Sequence, residues 1–362
     1  MNEELKNLLK ELSETPGPSG NEELVKSYVA QKIIDYSDSL VEDSIGNLIS
    51  KIGSGNYKIG VLSHLDEVGM IVTKLNANGT IGFSIVGMID ARNLQGCMVD
   101  IINTDGDIIP GLIGAKSRHL ITKQELTAPI NEKLMSIDIG ARSKEEIKSY
   151  NIEVGCGIVF KTPVHFYKNG VVMAKALDNR IGCAVLIQTL RNLKNKLNNI
   201  SLYGMFTVQE EIGAKGAAVV AYDYDLNLTI SLDNVPVKNI EDIQEDDTDL
   251  GKGPVIRIFD WWPDNTFGMF TNKKIKEKLI QVAEKNKIKY QIDVLTSTYL
   301  DSSQVHLTGP GIASGSICFP RRYSHSPVES CHIQDIEYGI KLLTEFILAI
   351  DNESLSFKMV YK

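Results

Sequence analysis

The sequence predicts an α/β protein in which a larger domain, with a mostly parallel central sheet flanked by helices, carries a small β-rich insertion. The chain has 362 residues, more than one compact core usually holds, so two domains are expected. Two helix-like and two strand-like segments precede a stretch of short β-like runs, and strand-like and helix-like segments alternate beyond it. We therefore assign residues 1–68 and 166–362 to a discontinuous larger domain and residues 69–165 to the insertion.

The elements of the larger domain follow from the spacing of its apolar residues. Leucines and charged residues alternate at helical spacing over residues 3–12, and a second amphipathic stretch covers residues 21–34. The run Pro16-Gly17-Pro18-Ser19-Gly20 separates these two helices. Further helices are expected between residues 176 and 193 and over residues 335–351. Strands are expected over residues 48–52, 57–62, 171–176, 201–208, 228–232 and 312–319.

The insertion is predicted from short β-like runs separated by turns. Such runs cover residues 69–75, 98–102 and 108–113. Asn78-Gly79 and Asp105-Gly106 are pairs typical of tight β-turns. This pattern favours a small, mostly β domain.

The composition argues against nucleic acid and membrane partners. The formal net charge is −8 and the basic residues are scattered, so no basic stripe is available to neutralise phosphates. The amino terminus lacks the apolar core of a signal peptide, and no apolar run approaches the roughly 20 residues that cross a bilayer. The five cysteines are dispersed without paired spacing, which is typical of buried thiols in a reducing compartment. We therefore expect a cytoplasmic protein.

Polar side chains able to bind metal follow several of the predicted strands. Two histidines and at least three carboxylates occupy these positions: His64 with Asp66, Asp178, Glu210 with Glu211, Asp233, and His325. In open α/β sheets the functional crevice lies at the carboxyl ends of the strands. These residues, distant in sequence, are therefore expected to converge.

The types of these side chains indicate a catalytic metal site rather than a structural one. Imidazole and carboxylate ligands without cysteine suit zinc, cobalt or manganese. Five protein ligands exceed what a single tetrahedral site needs. They suit two divalent ions about 3.5–4 Å apart that share one carboxylate.

The adjacent glutamates are expected to have different tasks. In extended backbone neighbouring side chains point to opposite sides, so one of Glu210 and Glu211 would bind metal and the other would act as general base. Asp66, two residues beyond His64, would accept the second ring N–H of that histidine and fix its orientation.

Ordinary structural explanations compete with this interpretation. A Glu-Glu pair is usually solvated surface, and an Asp after a strand is often a helix N-cap, which applies to Asp178. Isolated histidines are commonly surface or core residues, so four of them receive no role: His119, His165, His306 and His332. Compatible ligands after five separate strands favour the metal site, but from the residue types alone both explanations stay open.

Motifs along nearly the whole chain carry a family resemblance. They are Thr15-Pro16-Gly17-Pro18-Ser19-Gly20-Asn21-Glu22, Ser63-His64-Leu65-Asp66-Glu67-Val68-Gly69, Ile113-Gly114-Ala115-Lys116 with His119-Leu120, Ile137-Asp138-Ile139-Gly140-Ala141, Lys175-Ala176-Leu177-Asp178-Asn179-Arg180, Thr207-Val208-Gln209-Glu210-Glu211-Ile212-Gly213, Leu250-Gly251-Lys252-Gly253-Pro254 and Pro320-Arg321-Arg322-Tyr323-Ser324-His325-Ser326. In order and spacing these segments resemble the M42 family of metallo-aminopeptidases, which includes glutamyl aminopeptidases and the tetrahedral TET peptidases.

The resemblance implies a role for each candidate ligand. By matching motifs, His64, Asp178 and Asp233 would hold one metal ion. Asp178 would bridge to a second ion held by Glu211 and His325. Zinc is the expected metal, with cobalt or manganese as alternatives.

The resemblance also implies a reaction and an assembly. Glu210 matches the general base of a reaction that hydrolyses the amino-terminal peptide bond of peptide substrates. The larger domain would be catalytic, and the β-rich insertion would serve subunit association and substrate access. A homo-oligomer is expected, with a dodecamer as one form.

Four segments depart from the family pattern and leave the substrate preference open. They are Gly87-Met88-Ile89-Asp90, Val154-Gly155-Cys156, Asp233-Asn234-Val235, and Tyr299-Leu300-Asp301 in place of the common Gly-Thr-Asp. Loops near Tyr299 and Asn234 are expected to form the pocket for the amino-terminal side chain. An acidic preference would need a basic residue there, for which the candidates are Arg180, Arg321 and Arg322.

Two other classes of function remain as alternatives. A carboxylate-based glycosidase of the endoglucanase type would use two acidic residues but would leave His64, His325 and Asp233 without a task. A non-catalytic, metal-stabilised assembly subunit would leave Glu210 without one.

Overall fold

The computed structural model describes residues 3–127, 131–245, 247–264 and 266–357. The α-helices in these ranges are α1 (Glu3–Glu14), α2 (Glu23–Ile33), α3 (Lys123–Thr127), α4 (Lys144–Ser149), α5 (Leu177–Leu193), α6 (Ala217–Val220), α7 (Lys273–Lys285), α8 (Ser302–Val305) and α9 (Ile333–Asn352). None of these helices combines the length and apolarity that spanning a bilayer requires.

The strands in the described ranges form three sheets. They are β1 (Ser39–Glu42), β2 (Leu48–Ile52), β3 (Tyr57–His64), β4 (Gly69–Leu75), β5 (Thr80–Val86), β6 (Met98–Ile102), β7 (Ile108–Ile113), β8 (Ile137–Asp138), β9 (Gly157–Phe160), β10 (His165–Phe166), β11 (Val171–Ala174), β12 (Ile200–Thr207), β13 (Leu228–Pro236), β14 (Val255–Trp262), β15 (Phe267–Phe270), β16 (Gln291–Leu295), β17 (Ala313–Arg321) and β18 (Glu329–His332).

The central sheet is parallel in its middle and antiparallel towards its edges. Its strand order is β1-β2-β12-β3-β13-β17-β14-β15, and β16 pairs with β14. The four middle strands, β12, β3, β13 and β17, run parallel to one another. The flanking strands β1, β2 and β15 pair antiparallel, as does β14 with β17. The predicted α/β class is therefore confirmed, while the antiparallel strands at both edges are not predicted from the sequence.

Helices cover both faces of this sheet. On one face α1, α2, α5, α7 and α9 pack in the main hydrophobic core. On the other face α6 and α8 close a smaller core. Strand β12 serves both, since Leu202 and Phe206 belong to the first core while Tyr203 and Met205 belong to the second. All eight residues of β12 are buried, as expected for a parallel strand covered on both sides.

The segment after β3 forms a closed barrel with its own core. The barrel order is β4-β5-β8-β7-β6-β9, and every pairing in it is antiparallel. Gly79 and Gly106 have φ of +86° and +84° in the β4–β5 and β6–β7 turns, which the predicted turn motifs require. A separate cluster of apolar side chains fills the interior, including Met70, Val99 and Ile158. The domain boundaries at residues 69 and 165 stay a prediction.

One strand prediction needs correction. The sequence places a strand over residues 171–176 among those of the central sheet. The observed strand β11 instead pairs antiparallel with β10 and β18 in a separate three-stranded sheet. An apolar run predicts that a strand forms, but its pairing partner is set by contacts distant in sequence.

Candidate metal centre

Two parallel strands bring the first histidine and the two glutamates to the same edge of the sheet. His64 is the last residue of β3 and pairs in register with Thr207, the last residue of β12. The backbone N–H of Leu65 donates to the Thr207 carbonyl at 2.7 Å. The segment that follows β12 therefore begins beside His64, and it carries Glu210 and Glu211.

Two of the predicted ligands, Asp233 and Asp178, do not follow a strand of the central sheet. Asp233 lies inside β13, which continues to Pro236 because it stays paired with β17. Asp178 lies in the first turn of α5, and the strand before it belongs to the three-stranded sheet. His325 follows a strand of the central sheet as predicted, in the loop between β17 and β18. The prediction that all ligands follow strands of one sheet is therefore wrong, because local patterns do not show where pairing stops.

These side chains nevertheless converge on one another. His64 Nε2 lies 3.2 Å from Asp178 Oδ1 and 3.7 Å from Asp233 Oδ1. His325 Nε2 lies 3.4 Å from the other oxygen of the Asp178 carboxylate, Oδ2. The same nitrogen lies 3.4 Å from Glu211 Oε2. Asp178 thus faces one histidine with each of its two oxygens, and the peptide bond that follows it is cis.

Both glutamates point into this site, and the prediction that they face opposite sides is wrong. That prediction assumes extended backbone, whereas Gln209 has φ of +57° and the chain turns directly after β12. The Glu210 carbonyl accepts the backbone N–H of Gly213 at 2.9 Å, which closes the turn. As a result, Glu210 and Glu211 each offer a carboxylate oxygen within 4.8 Å of a His64 ring nitrogen.

Asp66 connects the histidine to the glutamate segment. Its Oδ1 lies 3.4 Å from His64 Nδ1, a nitrogen that is also 3.1 Å from the Asp66 backbone carbonyl. The carboxylate accepts the backbone N–H groups of Glu210 at 2.9 Å and Glu211 at 3.1 Å, and the Ser19 hydroxyl at 2.6 Å. Asp66 is fully buried and holds the backbone of both glutamates in place, a task beyond the predicted contact with His64.

The cluster carries more negative charge than the neighbouring cations balance. Burial raises the pKa of Glu210 well above its usual range and that of Glu211 to about 8. Burial likewise raises the pKa of Asp233. For Asp178 burial again raises the pKa, but the Arg321 guanidinium, 2.8 Å from Oδ2, and the neighbouring His325 and His64 together hold it well below the usual range. A cation among these carboxylates would favour their ionised forms.

The residues present fit divalent metal ions. Within the described ranges three groups place their ligand atoms within 4.8 Å of one another: His64 with Asp178 and Asp233, Asp178 with Glu211 and His325, and His64 with Glu210 and Glu211. Glu211 Oε1 is buried and has no hydrogen-bond partner among the described residues, whereas buried polar atoms normally have one. Imidazole and carboxylate donors are the ligands that zinc, cobalt and manganese accept.

A cavity of about 190 Å³ opens beside these groups. One part of its lining consists of the carboxylates and His325 described above. The remainder is formed by Met88, Asn234, Pro236, Trp262, Ser297, Thr298, Tyr299, Arg321 and Ser324. A metal-capable cluster that opens into a cavity can act on a bound molecule rather than only stabilise the fold.

Comparison with known proteins assigns the chain to a family. The sequence model of the M42 glutamyl aminopeptidase family matches residues 46–342. The chain belongs to this family. It is therefore an enzyme of the aminopeptidase class, which hydrolyses peptide bonds. A putative aminopeptidase of Acetivibrio thermocellus is 35% identical to it over 348 residues, which are 95% of this chain and 99% of that protein.

Solved structures of aminopeptidases share the fold of this M42 chain. The aminopeptidase APDkam598 of the archaeon Desulfurococcus kamchatkensis superposes with a TM-score of 0.88 at 32% identity, over 95% of this chain and 94% of that one. The TET1 peptidase of Pyrococcus horikoshii, which can assemble into a tetrahedron or a large octahedral shell, has a TM-score of 0.83 at 32% identity, over 94% and 98%.

Glu329 contacts two of the site residues in this M42 chain and is absent from the sequence prediction. It is buried in β18. Its Oε2 accepts the backbone N–H of Asp178 at 3.1 Å, and its Oε1 accepts that of His325 at 2.9 Å. Its Oε1 also pairs with the Arg321 guanidinium. The sequence offers no signal for this role, since a lone Glu in a short strand has no distinguishing pattern.

Three of the four segments that depart from the family pattern contribute a residue to the cavity lining: residues 87–90, 233–235 and 299–301. Tyr299 lines the cavity and donates from its hydroxyl to the Glu210 carbonyl at 3.1 Å. Asp301 is buried and accepts the hydroxyl of Thr207. Asn234 also lines the cavity. The departure itself is the sequence signal that could direct attention to Tyr299, whereas Asp301 matches the family pattern.

Proposed function

We propose that this M42 family member is a two-metal aminopeptidase that releases the amino-terminal residue of peptides. The observation that carries the proposal is the position of Asp178. Its two carboxylate oxygens lie 3.2 Å from His64 Nε2 and 3.4 Å from His325 Nε2. A carboxylate that faces two separate imidazoles is the arrangement that a shared, bridging ligand needs.

The candidate ligands form two sets that share the Asp178 carboxylate. His64, Asp178 and Asp233 would hold one ion, and Asp178, Glu211 and His325 would hold the other. Zinc is the first candidate, and cobalt and manganese are compatible with the same donors. When bound, such ions polarise the scissile carbonyl and lower the pKa of a water molecule.

Glu210 is proposed as the general base. Its Oε2 lies 3.9 Å from His64 Nε2, it is buried, and it lines the cavity. It belongs to neither of the two ligand sets that share Asp178, so its carboxylate can accept the proton of the attacking water. It then returns that proton to the departing amine. The Asp66 carboxylate accepts the backbone N–H of Glu210 at 2.9 Å, which fixes the backbone position from which the Glu210 side chain extends.

A chelator experiment tests the function as a whole. The protein loaded with zinc or cobalt is expected to release free amino-terminal residues from short peptides, because both ion positions are filled. Prior treatment with EDTA should abolish the release, and adding the ion back should restore it. Chelator-resistant cleavage of a β-glucan, with no peptide hydrolysis, would instead support a carboxylate-based glycosidase. Tight binding of the ion without hydrolysis of either substrate would support a non-catalytic subunit.

Glu329→Gln is expected to weaken metal binding about 10- to 100-fold, as loss of a hydrogen-bonding group behind a ligand usually does. The neutral amide keeps the shape but loses the charge that holds the backbone of Asp178 and His325. Titration against a competing chelator measures the affinity. Glu241→Gln, at an exposed position, is the matched control. An unchanged affinity in Glu329→Gln would contradict a role in positioning the ligands.

The assembly of the chain is also proposed from its relatives. We infer a homo-oligomer, with a dodecamer as the leading form, because the TET1 peptidase of similar fold forms closed shells. On the barrel, Met98, Ile108 and Leu112 expose apolar side chains, which favours burial against another subunit. Light scattering should give a mass several times the 40.0 kDa of one chain. The mass of a single chain would contradict the proposal.

A cytoplasmic location is proposed from the thiols. Cys97, Cys156, Cys183, Cys318 and Cys331 are all free, as expected where the compartment is reducing. Cell fractionation with an antibody against the chain would check this, and recovery outside the cytoplasm would contradict it.

A further inference from the structure

We propose that the cavity beside the metal centre selects an uncharged, apolar amino-terminal side chain, and that Tyr299 is the residue that determines this specificity. This inference rests on the proposed aminopeptidase function and names the substrate class that the same site takes. When the carbonyl of the first residue lies at the candidate ligands, its own side chain must occupy the rest of the cavity. The composition of that remaining part therefore decides which side chain is accepted.

Part of the cavity wall is aromatic and held in place. The Tyr299 ring makes edge contacts with Phe267 and Trp262, at centroid distances of 5.3 Å and 6.1 Å. Its hydroxyl donates to the Glu210 carbonyl at 3.1 Å. Three contacts therefore fix one aromatic face directly beside the general base. A fixed aromatic surface binds an apolar side chain well, because it buries area without ordering a flexible partner.

The neighbouring lining adds no charge to this wall. Beside Tyr299 and Trp262, the cavity is bounded by Met88, Pro236 and Thr298. Met88 and Pro236 are apolar, and Thr298 contributes only a hydroxyl. A charged side chain entering this part would lose its hydration without gaining an opposite charge. This desolvation costs more free energy than the desolvation of a neutral side chain does.

The basic residues near the site are already committed to other partners. Arg321 is the cation among the described lining residues, and it pairs with Asp178 and Glu329. Arg180 lies within 3.3 Å of the Glu67 carboxylate and donates to the Leu12 carbonyl, and neither Arg180 nor Glu67 lines the cavity. Among the described residues that line the cavity, these contacts leave no free guanidinium to neutralise an acidic substrate side chain.

The third candidate cation is likewise engaged elsewhere. Arg322 pairs with Asp249 at 2.5 Å and donates to the Lys238 carbonyl. The acidic groups of the lining are Asp178 and three further carboxylates of the metal centre, whose charge the bound ions would balance. A basic substrate side chain therefore gains no partner either. Neither the glutamyl preference that the family description names nor a basic preference is expected of this chain.

Aminoacyl 4-nitroanilides test the preference directly. On the zinc-loaded enzyme, kcat/KM for leucyl and methionyl substrates should exceed that for glutamyl and lysyl substrates by at least about tenfold, as a pocket of matching polarity discriminates. A higher kcat/KM for the glutamyl or the lysyl substrate would overturn the inference while leaving the aminopeptidase function intact.

Product binding provides a second readout that does not depend on turnover. L-leucine should raise the Tm of the zinc-loaded protein more than the same concentration of L-glutamate or L-lysine, because a ligand that binds only the folded state stabilises it. Equal or larger shifts with the charged amino acids would contradict the inference. Failure to cleave every anilide would contradict the proposed function, and the Tm shifts alone would then decide the preference.

Substitution at Tyr299 separates the aromatic wall from the hydroxyl. Tyr299→Phe keeps the ring and should retain the leucyl preference, while kcat falls because the Glu210 carbonyl loses a donor. Tyr299→Gly removes the wall, so KM for the leucyl substrate should rise at least about tenfold and the leucyl-to-glutamyl ratio should fall. Tyr222→Gly, at a side chain 72% exposed, is the matched control. An unchanged ratio in Tyr299→Gly would overturn the assignment to Tyr299.

Discussion

Glu210→Gln is expected to lower kcat about 10²- to 10⁴-fold, the usual contribution of a general base, while two metal ions per chain stay bound. The amide keeps the size of the side chain and leaves both ligand sets that share Asp178 untouched. It cannot accept a proton from the attacking water. Turnover of a leucyl anilide and metal content by elemental analysis, measured on the same sample, check both halves of the expectation.

A matched substitution shows whether the effect belongs to the site. Glu145→Gln changes an exposed glutamate in α4 and should leave kcat and metal content as they are. If Glu210→Gln instead lost metal in proportion to activity, Glu210 would be a ligand, and the base would have to be sought elsewhere. Nearly full activity with both ions bound would refute any role for it in proton transfer.

Glu211→Ala is expected to have the complementary effect, with metal content falling from two ions to one and activity lost with it. Glu211 Oε2 lies 3.4 Å from His325 Nε2, and its Oε1 is buried without a partner among the described residues. Removing this carboxylate leaves Asp178 and His325 as the only protein ligands of that set, fewer than the three of a typical catalytic site. Elemental analysis after dialysis against metal-free buffer measures the loss.

The neighbouring glutamates thus serve as controls for each other. Both belong to the same turn, and Asp66 accepts the backbone N–H of each. A defect in the local backbone would affect the two variants alike. Opposite outcomes, with metal retained in Glu210→Gln and lost in Glu211→Ala, require different chemical roles. Retention of two ions in Glu211→Ala would contradict its assignment as a ligand.

The sequence predicts those parts of the fold that depend on local patterns. Short apolar runs identify the strands at residues 48–52 and 57–62, which are buried on both faces. Apolar residues at helical spacing identify the helices at residues 21–34 and 335–351, because burial of one face imposes that period. The Gly79 turn is identified because glycine readily adopts positive φ. These elements need no knowledge of what lies across from them.

Other parts of the structure depend on contacts that no local pattern records. Strand β11 has the apolar sequence of a central strand but pairs with β10 and β18 in the three-stranded sheet. Strands β14 to β16 extend the central sheet at one edge, and helix α7 packs in the main core. No element is predicted from the sequence in this region. The pairing that defines these elements is set by residues far away along the chain.

The candidate site shows the same division. The identities of His64 and Asp178 are visible, since they lie in motifs with distinct residue types. The orientation of Glu210 and Glu211 cannot be predicted from the sequence, because it depends on the positive φ of Gln209, and glutamine is not a residue type that indicates positive φ. Glu329 is equally hidden, since its contacts with Asp178 and His325 are visible only once the fold is known.

Anomalous X-ray diffraction from crystals of the zinc-loaded protein tests the central claim most directly. We expect two zinc peaks per chain, one among His64, Asp178 and Asp233 and one among Asp178, Glu211 and His325. Asp178 should contact both ions, and Glu210 should contact neither directly. A single peak, or two peaks that do not share Asp178, would contradict the two-metal account of this enzyme.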